Sequence, residues 1–177
     1  MTRLAMPVIC AAALLSACSS APKASVTAAP NSAPNYKDAP LDLSTPENTA
    51  YSMMIAMYRG DADMVDAVFA EGGTLLRLKP DGTLARDGLP RWRDWVSTLE
   101  VGYAHEELFD IKVESYGKLA TVWAPFVIDV DGKRVGCGVN QFTMAEMAEG
   151  WRIVTGMDVQ APKDECAGFR EGYGRGG

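Results

Sequence analysis

Histidine is almost missing from this chain: His105 stands alone among 177 residues. Only four cysteines are present, two of them within the first 18 residues, and neither paired metal ligands nor a Ser–His–Asp arrangement can be found. No run of Lys or Arg occurs, and the formal net charge is −6. Neither nucleic acid nor an anionic lipid surface would attract such a chain electrostatically, so no nucleic-acid partner is expected. There is no Gly-rich phosphate loop, no internal repeat and no pattern that calls for a cofactor. The longest apolar run, Leu4 to Leu15 with Pro7 inside it, falls well short of the ~20 residues a spanning helix needs.

What is present begins with an address. Arg3 precedes the apolar run as in an export signal, and Leu15-Ser16-Ala17-Cys18 resembles the lipobox of bacterial lipoproteins. The resemblance implies cleavage before Cys18, lipidation of its thiol and a membrane anchor in the cell envelope. By the same resemblance, Ser19 in the next position, where retention in the inner membrane would favour Asp, implies the outer membrane, facing the periplasm. Residues 18–43 follow as an expected flexible tether, rich in Ala, Ser, Pro and Asn and too poor in large apolar side chains to offset the entropy of ordering. With Cys10 in the signal (residues 1–17) and Cys18 lipidated, Cys137 and Cys166 remain. An exported compartment is oxidising, which predicts a bridge between them.

The remaining 120 to 135 residues or so suffice for one domain, expected over 44–168, with a disordered tail over 169–177. Thr45 reads as an N-cap, Pro46 as a first-turn residue and Gly60 as the stop of a first helix. Asp61 starts a second, ended by "EGG". "TLLRLKPDGTLAR" reads as a hairpin around Pro80-Asp81-Gly82. Pro90 opens a third helix with Trp92, Trp95, Val96 and Leu99 on one stripe. Four strand-like runs follow across short turns, which predicts an antiparallel meander. The fold class is therefore α+β, three N-terminal helices packed on a curved antiparallel sheet. Pro125 inside the second long strand predicts a bulge there.

Three stretches, "YRGDADMVDAVFAEGGTL", "GKLATVWAPFVIDVDGKRVGCGVNQF" and "GWRIVTGMDV", resemble the nuclear-transport-factor-2-like superfamily, the cone-shaped or cystatin-like α+β barrel. The middle one is similar to a lumazine-binding-like branch, in which a cysteine pair placed like Cys137 and Cys166 recurs. That branch often carries His-Cys-Gly-Val-Asp where this chain has Gly136-Cys137-Gly138-Val139-Asn140, so both proton carriers are replaced. The resemblance implies a cavity between sheet and helices, and a homodimer formed through the sheet.

Candidate residues follow from alternation and chemistry. His105, with Glu107, Phe109, Ile111 and Val113 on its face, reads first as a half-exposed strand end and second as a general base. Glu106, its neighbour, must point the other way. Asp158 ends the last strand and is the acidic alternative, whereas Asp63 suits a helix N-terminus and Asp110 a solvated face. Asn140 and Gln141 interrupt an apolar strand, and one of them must point inward and find a partner. Tyr51, Trp92, Trp95, Trp123 and Phe126 would line a pocket for a small apolar ligand if they are not simply core. Met53, Met54 and Met57 suit either a loose pocket or a subunit contact. The expected function is non-catalytic small-molecule binding or an accessory role. The alternatives are an isomerase, cyclase or dehydratase and a ligand-free interaction module.

Overall fold

The computed structural model describes residues 25–28, 33–86 and 88–174, so the export signal, Cys10 and Cys18 lie outside the described residues. Its first element, β1 (Ser25–Ala28), runs antiparallel to residues 112–115. Together with residues 33–43 it falls within the expected tether, and here the structure differs from the composition. Tyr36 is buried, and the Arg59 guanidinium donates to the carbonyls of Tyr36, Lys37 and Ala39 at 3.1, 2.9 and 2.6 Å. The Ser52 hydroxyl bonds both the amide and the carbonyl of Asp42, and the Leu43 carbonyl accepts the Trp151 amide at 2.8 Å. One aromatic anchor and a fork of charged donors hold a segment whose average composition predicts none of this. Gly150, at φ 110°, makes the crossing feasible, since a Cβ there would lie 2.5 Å from the Leu43 carbonyl oxygen.

Helix α1 (Pro46–Arg59) forms as its caps dictate. The Thr45 hydroxyl accepts the Asn48 amide at 3.1 Å, a contact of a kind worth about 1 kcal/mol, and Gly60 closes the helix at φ 69°. Asp61 caps α2 (Ala62–Val68) by accepting the Met64 amide. The second helix was expected to run to "EGG", yet these residues already belong to β2 (Phe69–Leu78). β2 turns through Pro80-Asp81-Gly82 into the short β3 (Leu84–Ala85). Helix α3 (Gly88–Val96) starts two residues ahead of Pro90, and of its apolar stripe only Val96 is fully buried.

The remaining strands are β4 (Ala104–Leu108), β5 (Lys112–Tyr116), β6 (Leu119–Val130), β7 (Lys133–Met147) and β8 (Gly150–Gln160). The sheet order is β1-β5-β6-β7-β8-β2-β3, with β4 also on β6. From β5 to β8 the expected antiparallel meander is present, but β2 pairs with β8 in parallel. The sheet is therefore mixed, a correction to the all-antiparallel expectation. Turn lengths fix the direction of consecutive strands, whereas β2 reaches β8 from about 80 residues away and no local rule orients it.

The irregularity expected at Pro125 sits in the neighbouring strand instead. β6 keeps its register against β7 straight through Pro125, which pairs with Val139. On its other side, Leu108 pairs with Phe126 and Lys112 with Trp123, so three residues of one chain face two of the other. The excess is taken up at Phe109-Asp110-Ile111, where Asp110 adopts φ 45° and the Phe109 amide donates to the Pro125 carbonyl at 3.0 Å. A proline has no amide to offer, so the partner strand breaks where the missing donor would have been used. The run "HEELFDIKVES" thereby becomes two strands of opposite parity. His105, Glu107 and Phe109 share the outer face, while Glu106, Ile111 and Val113 turn inward.

The main core lies between the inner sheet face (Val122, Phe126, Phe142, Met144, Ile153) and the buried side of α1 and α2. A second, smaller cluster on the outer face joins Phe109, Val127, Cys137 and Cys166. Cys137 and Cys166 are disulfide-bonded, with 5.3 Å between their Cα atoms. Beyond the bridge the chain forms α4 (Phe169–Gly172), where a disordered tail was expected to begin. Phe169 and Tyr173 pack against Phe109, Arg170 lies over the Phe109 ring and pairs with Glu107, and Tyr173 accepts from the Trp123 indole.

Candidate functional site

A cavity of about 310 Å³ opens between α1, α3 and the inner sheet face. Met53, Met54 and Met57 form its helical wall, Phe126, Ile128 and Val130 its floor, and Trp92 and Trp95 stand at its rim. The methionines, Trp92, Trp95 and Phe126 thus line one cavity. The long, unbranched thioethers line space that β-branched residues would leave ill-fitting.

Its polar wall comes from four strands. Glu106 on β4, Asn140 on β7, Arg77 on β2 and Asp158 on β8 all face inward. The Asn140 amide donates to Glu106 Oε1 at 2.7 Å, which answers which of Asn140 and Gln141 points in; Gln141 turns outward and donates to Thr143. Arg77 and Asp158 are opposite one another in the parallel register. Arg77 Nε donates to both carboxylate oxygens at 3.0 and 2.8 Å, and Nη2 lies 2.8 Å from Oδ2.

These surroundings perturb both acids. Protein closes around the Glu106 carboxyl and pushes its pKa up to about 7, with the Asp158 charge adding to the rise and the Asn140 hydrogen bond and Arg77 opposing it. Asp158 is also raised by burial, against the pull of Arg77. Near neutrality, Glu106 is therefore poised to take up or release a proton, with a guanidinium and an amide in the same wall. Such an arrangement suits hydrogen bonding to a polar group on a bound molecule, or proton transfer to it.

Three expected residues lie elsewhere. Trp123 faces outward, 44 % exposed, because the unbroken register of β6 puts it on the opposite parity from Val122 and Ala124. Tyr51 is buried in the core outside the cavity lining. His105 is on the outer face, edge-on to the rings of Tyr36 and Tyr58 at 4.8 and 5.5 Å, and lines a separate shallow depression with Glu107. Asp158, the acidic alternative, does line the cavity. Asp63 lies in the first turn of α2, and both it and Asp110 are exposed. Among the described residues no cluster of His, Cys, Asp and Glu could hold a metal ion, and no helix is long and apolar enough to cross a membrane.

Alternation read from His105 missed Glu106. The signal was nevertheless in the sequence: Leu108 and Phe109 are adjacent apolar residues before an aspartate, and a strand cannot bury two neighbours on one face.

No family model and no curated protein matches the chain. Solved structures do. A protein of unknown function from Mycobacterium tuberculosis is 18 % identical over 68 % of this chain and 73 % of its own, with a TM-score of 0.54. A protein of unknown function with a cystatin-like fold from Nostoc punctiforme is 14 % identical over 67 % of this chain and 95 % of its own, with a TM-score of 0.52. A protein from Streptomyces avermitilis, described as a candidate dehydratase of the NTF2-like family, is 17 % identical over 64 % of this chain and 91 % of its own, at 0.53. Identities this low carry the fold and nothing further. The chain has the NTF2-like, cystatin-like α+β fold, built on a mixed sheet.

Proposed function

We propose that this chain is a lipid-anchored envelope protein, tethered through Cys18 to the outer membrane on its periplasmic side, whose cavity binds a small molecule with an apolar body and a polar end. The observation that carries the reading is the cavity itself: three methionines and an aromatic floor on one side, Glu106 and Asn140 on the other. Binding sites combine these features, mostly apolar walls with a few convergent polar groups. The disulfide agrees with an oxidising compartment and with the cysteine pair of the lumazine-binding-like branch, which supports placing the chain there.

A second reading, a proton-transfer enzyme of the isomerase or dehydratase type, is favoured by Glu106 alone. A carboxyl with a pKa of about 7 facing a guanidinium is what such chemistry requires, and the proton carrier would be Glu106 rather than His105. The ligand-free module predicts a cavity sealed by Trp92, Trp95 and Phe126, and the open rim counts against it. A homodimer through the outer sheet face stays part of the proposal, with Leu119 and Trp123 exposed there.

Native mass spectrometry of the purified protein, exported into an oxidising compartment, tests the binding reading. An adduct of roughly a few hundred daltons that survives gentle desolvation is expected. A bare mass throughout, together with no uptake of small amphiphiles, would overturn it.

A further inference from the structure

A groove of about 360 Å³ adjoins the cavity along β2 and α3, with Leu75, Arg77, Trp92 and Asp158 lining both. Among the described residues the groove is lined by three cations, Arg77, Lys79 and Arg91, and one acid, Asp158. In a chain of net charge −6, this runs against the overall trend. Asp158 is already committed to Arg77, using Nε and Nη2. A guanidinium carries five N–H donors, so the Nη1 edge remains, and among the described residues it has no partner. Lys79 and Arg91 form no ion pair among the described residues.

The cavity and the adjoining groove differ in charge. The cavity holds two carboxyls, Glu106 and Asp158, with Arg77 as the one cation among the described lining residues. The groove offers three cations to an anion. An amphiphile therefore has one favourable orientation, chain inward against Met53, Met54, Met57 and Phe126, and head outward.

We propose that the ligand is an amphipathic carboxylate whose chain fills the cavity and whose carboxylate is held in the groove by Arg77, Lys79 and Arg91. This rests on the cavity being a small-molecule site, and the experiment separates the two. Isothermal titration of the purified full-length protein with octanoate and with octanol, at low and at high salt, is the test. Octanol leaves water more readily, so the apolar wall alone favours the alcohol. The expected result is the reverse, tighter binding of octanoate, with a preference that shrinks as salt screens the groove. A Lys79→Ala/Arg91→Ala double variant, altering only exposed side chains, should weaken octanoate by about tenfold and leave octanol as it was. Octanol binding as well as octanoate, or octanoate indifferent to the double variant, overturns the carboxylate site while leaving the cavity reading intact. Binding of neither compound overturns both.

Discussion

Glu106 and Asn140 meet at 2.7 Å across the inner sheet face although β6 runs between their strands and 34 residues separate them in the chain. Their contact places a proton-carrying group in the cavity wall. It exists only because the Asp110 irregularity turns β4 half a period out of step with β5.

The raised pKa of Glu106 gives stability a definite pH dependence. The folded protein holds this proton up to about pH 7, whereas the unfolded chain releases it near the ordinary glutamate value. The unfolded state thus binds fewer protons between these limits, and stability falls as pH rises through that window, by at most about 3 kcal/mol from this group. Below the window both states are protonated and the effect vanishes. Asp158, also raised, contributes in the same direction. Thermal unfolding should lose several degrees between pH 5 and 7.5, and Glu106→Gln should flatten that slope. An unchanged slope in the variant would mean that Glu106 is ionised in the fold like any surface acid. Asp158→Asn removes a charge that raises Glu106 and releases Arg77, which lowers it, so carboxyl chemical shifts should report a lower Glu106 pKa in that variant.

The Cys137–Cys166 bridge closes a loop over a sequence separation of 29, for which chain entropy suggests about 3.5 kcal/mol. Reduction should lower the melting temperature by several degrees. It should also free α4, seen as faster hydrogen exchange and tryptic cleavage at Arg170 before global unfolding. A melting curve indifferent to reductant would contradict a structural bridge.

Arg59 holds residues 36–39 through three carbonyls, so Arg59→Ala should release that segment. Its loss should cost about 2 kcal/mol, mostly from carbonyls left without their donor. Trypsin should then cut after Lys37 in the otherwise native protein, while the wild type resists there.

Lipidation at Cys18 is checked by Cys18→Ala. The variant should remain unprocessed or leave the membrane fraction, and a variant processed and retained like the wild type would end the lipoprotein reading.

Much of this fold was legible before any coordinates, because caps and turns are local. Thr45, Gly60 and Asp61 bound the helices where their side chains and backbone freedom require, and the Asp131-Gly132 and Glu149-Gly150 turns dictate the antiparallel order of β6 to β8. The cysteine pair was legible from composition and the expected compartment, while the methionines stayed open between a pocket and a subunit contact. The site was less legible. The parity of β4 depends on a residue inserted opposite Pro125, and Pro125 becomes its neighbour only when β6 folds back. Reading one strand alone placed the acid on the wrong face, and put Trp123 in a pocket it does not touch.

The sequence by itself determined the caps of α1 and α2, the Pro80-Asp81-Gly82 turn and the antiparallel order of β6 to β8, since each rests on interactions between residues close in the chain. The bridge was legible from the expected address, which sets Cys10 and Cys18 aside. The tertiary structure decided the rest. Parallel pairing of β2 with β8 sets Arg77 beside Asp158, the strand break turns Glu106 inward, and Arg59 draws residues 36–39 onto the body. These relationships are long-range, and a backbone period of two converts a single inserted residue into a complete exchange of faces.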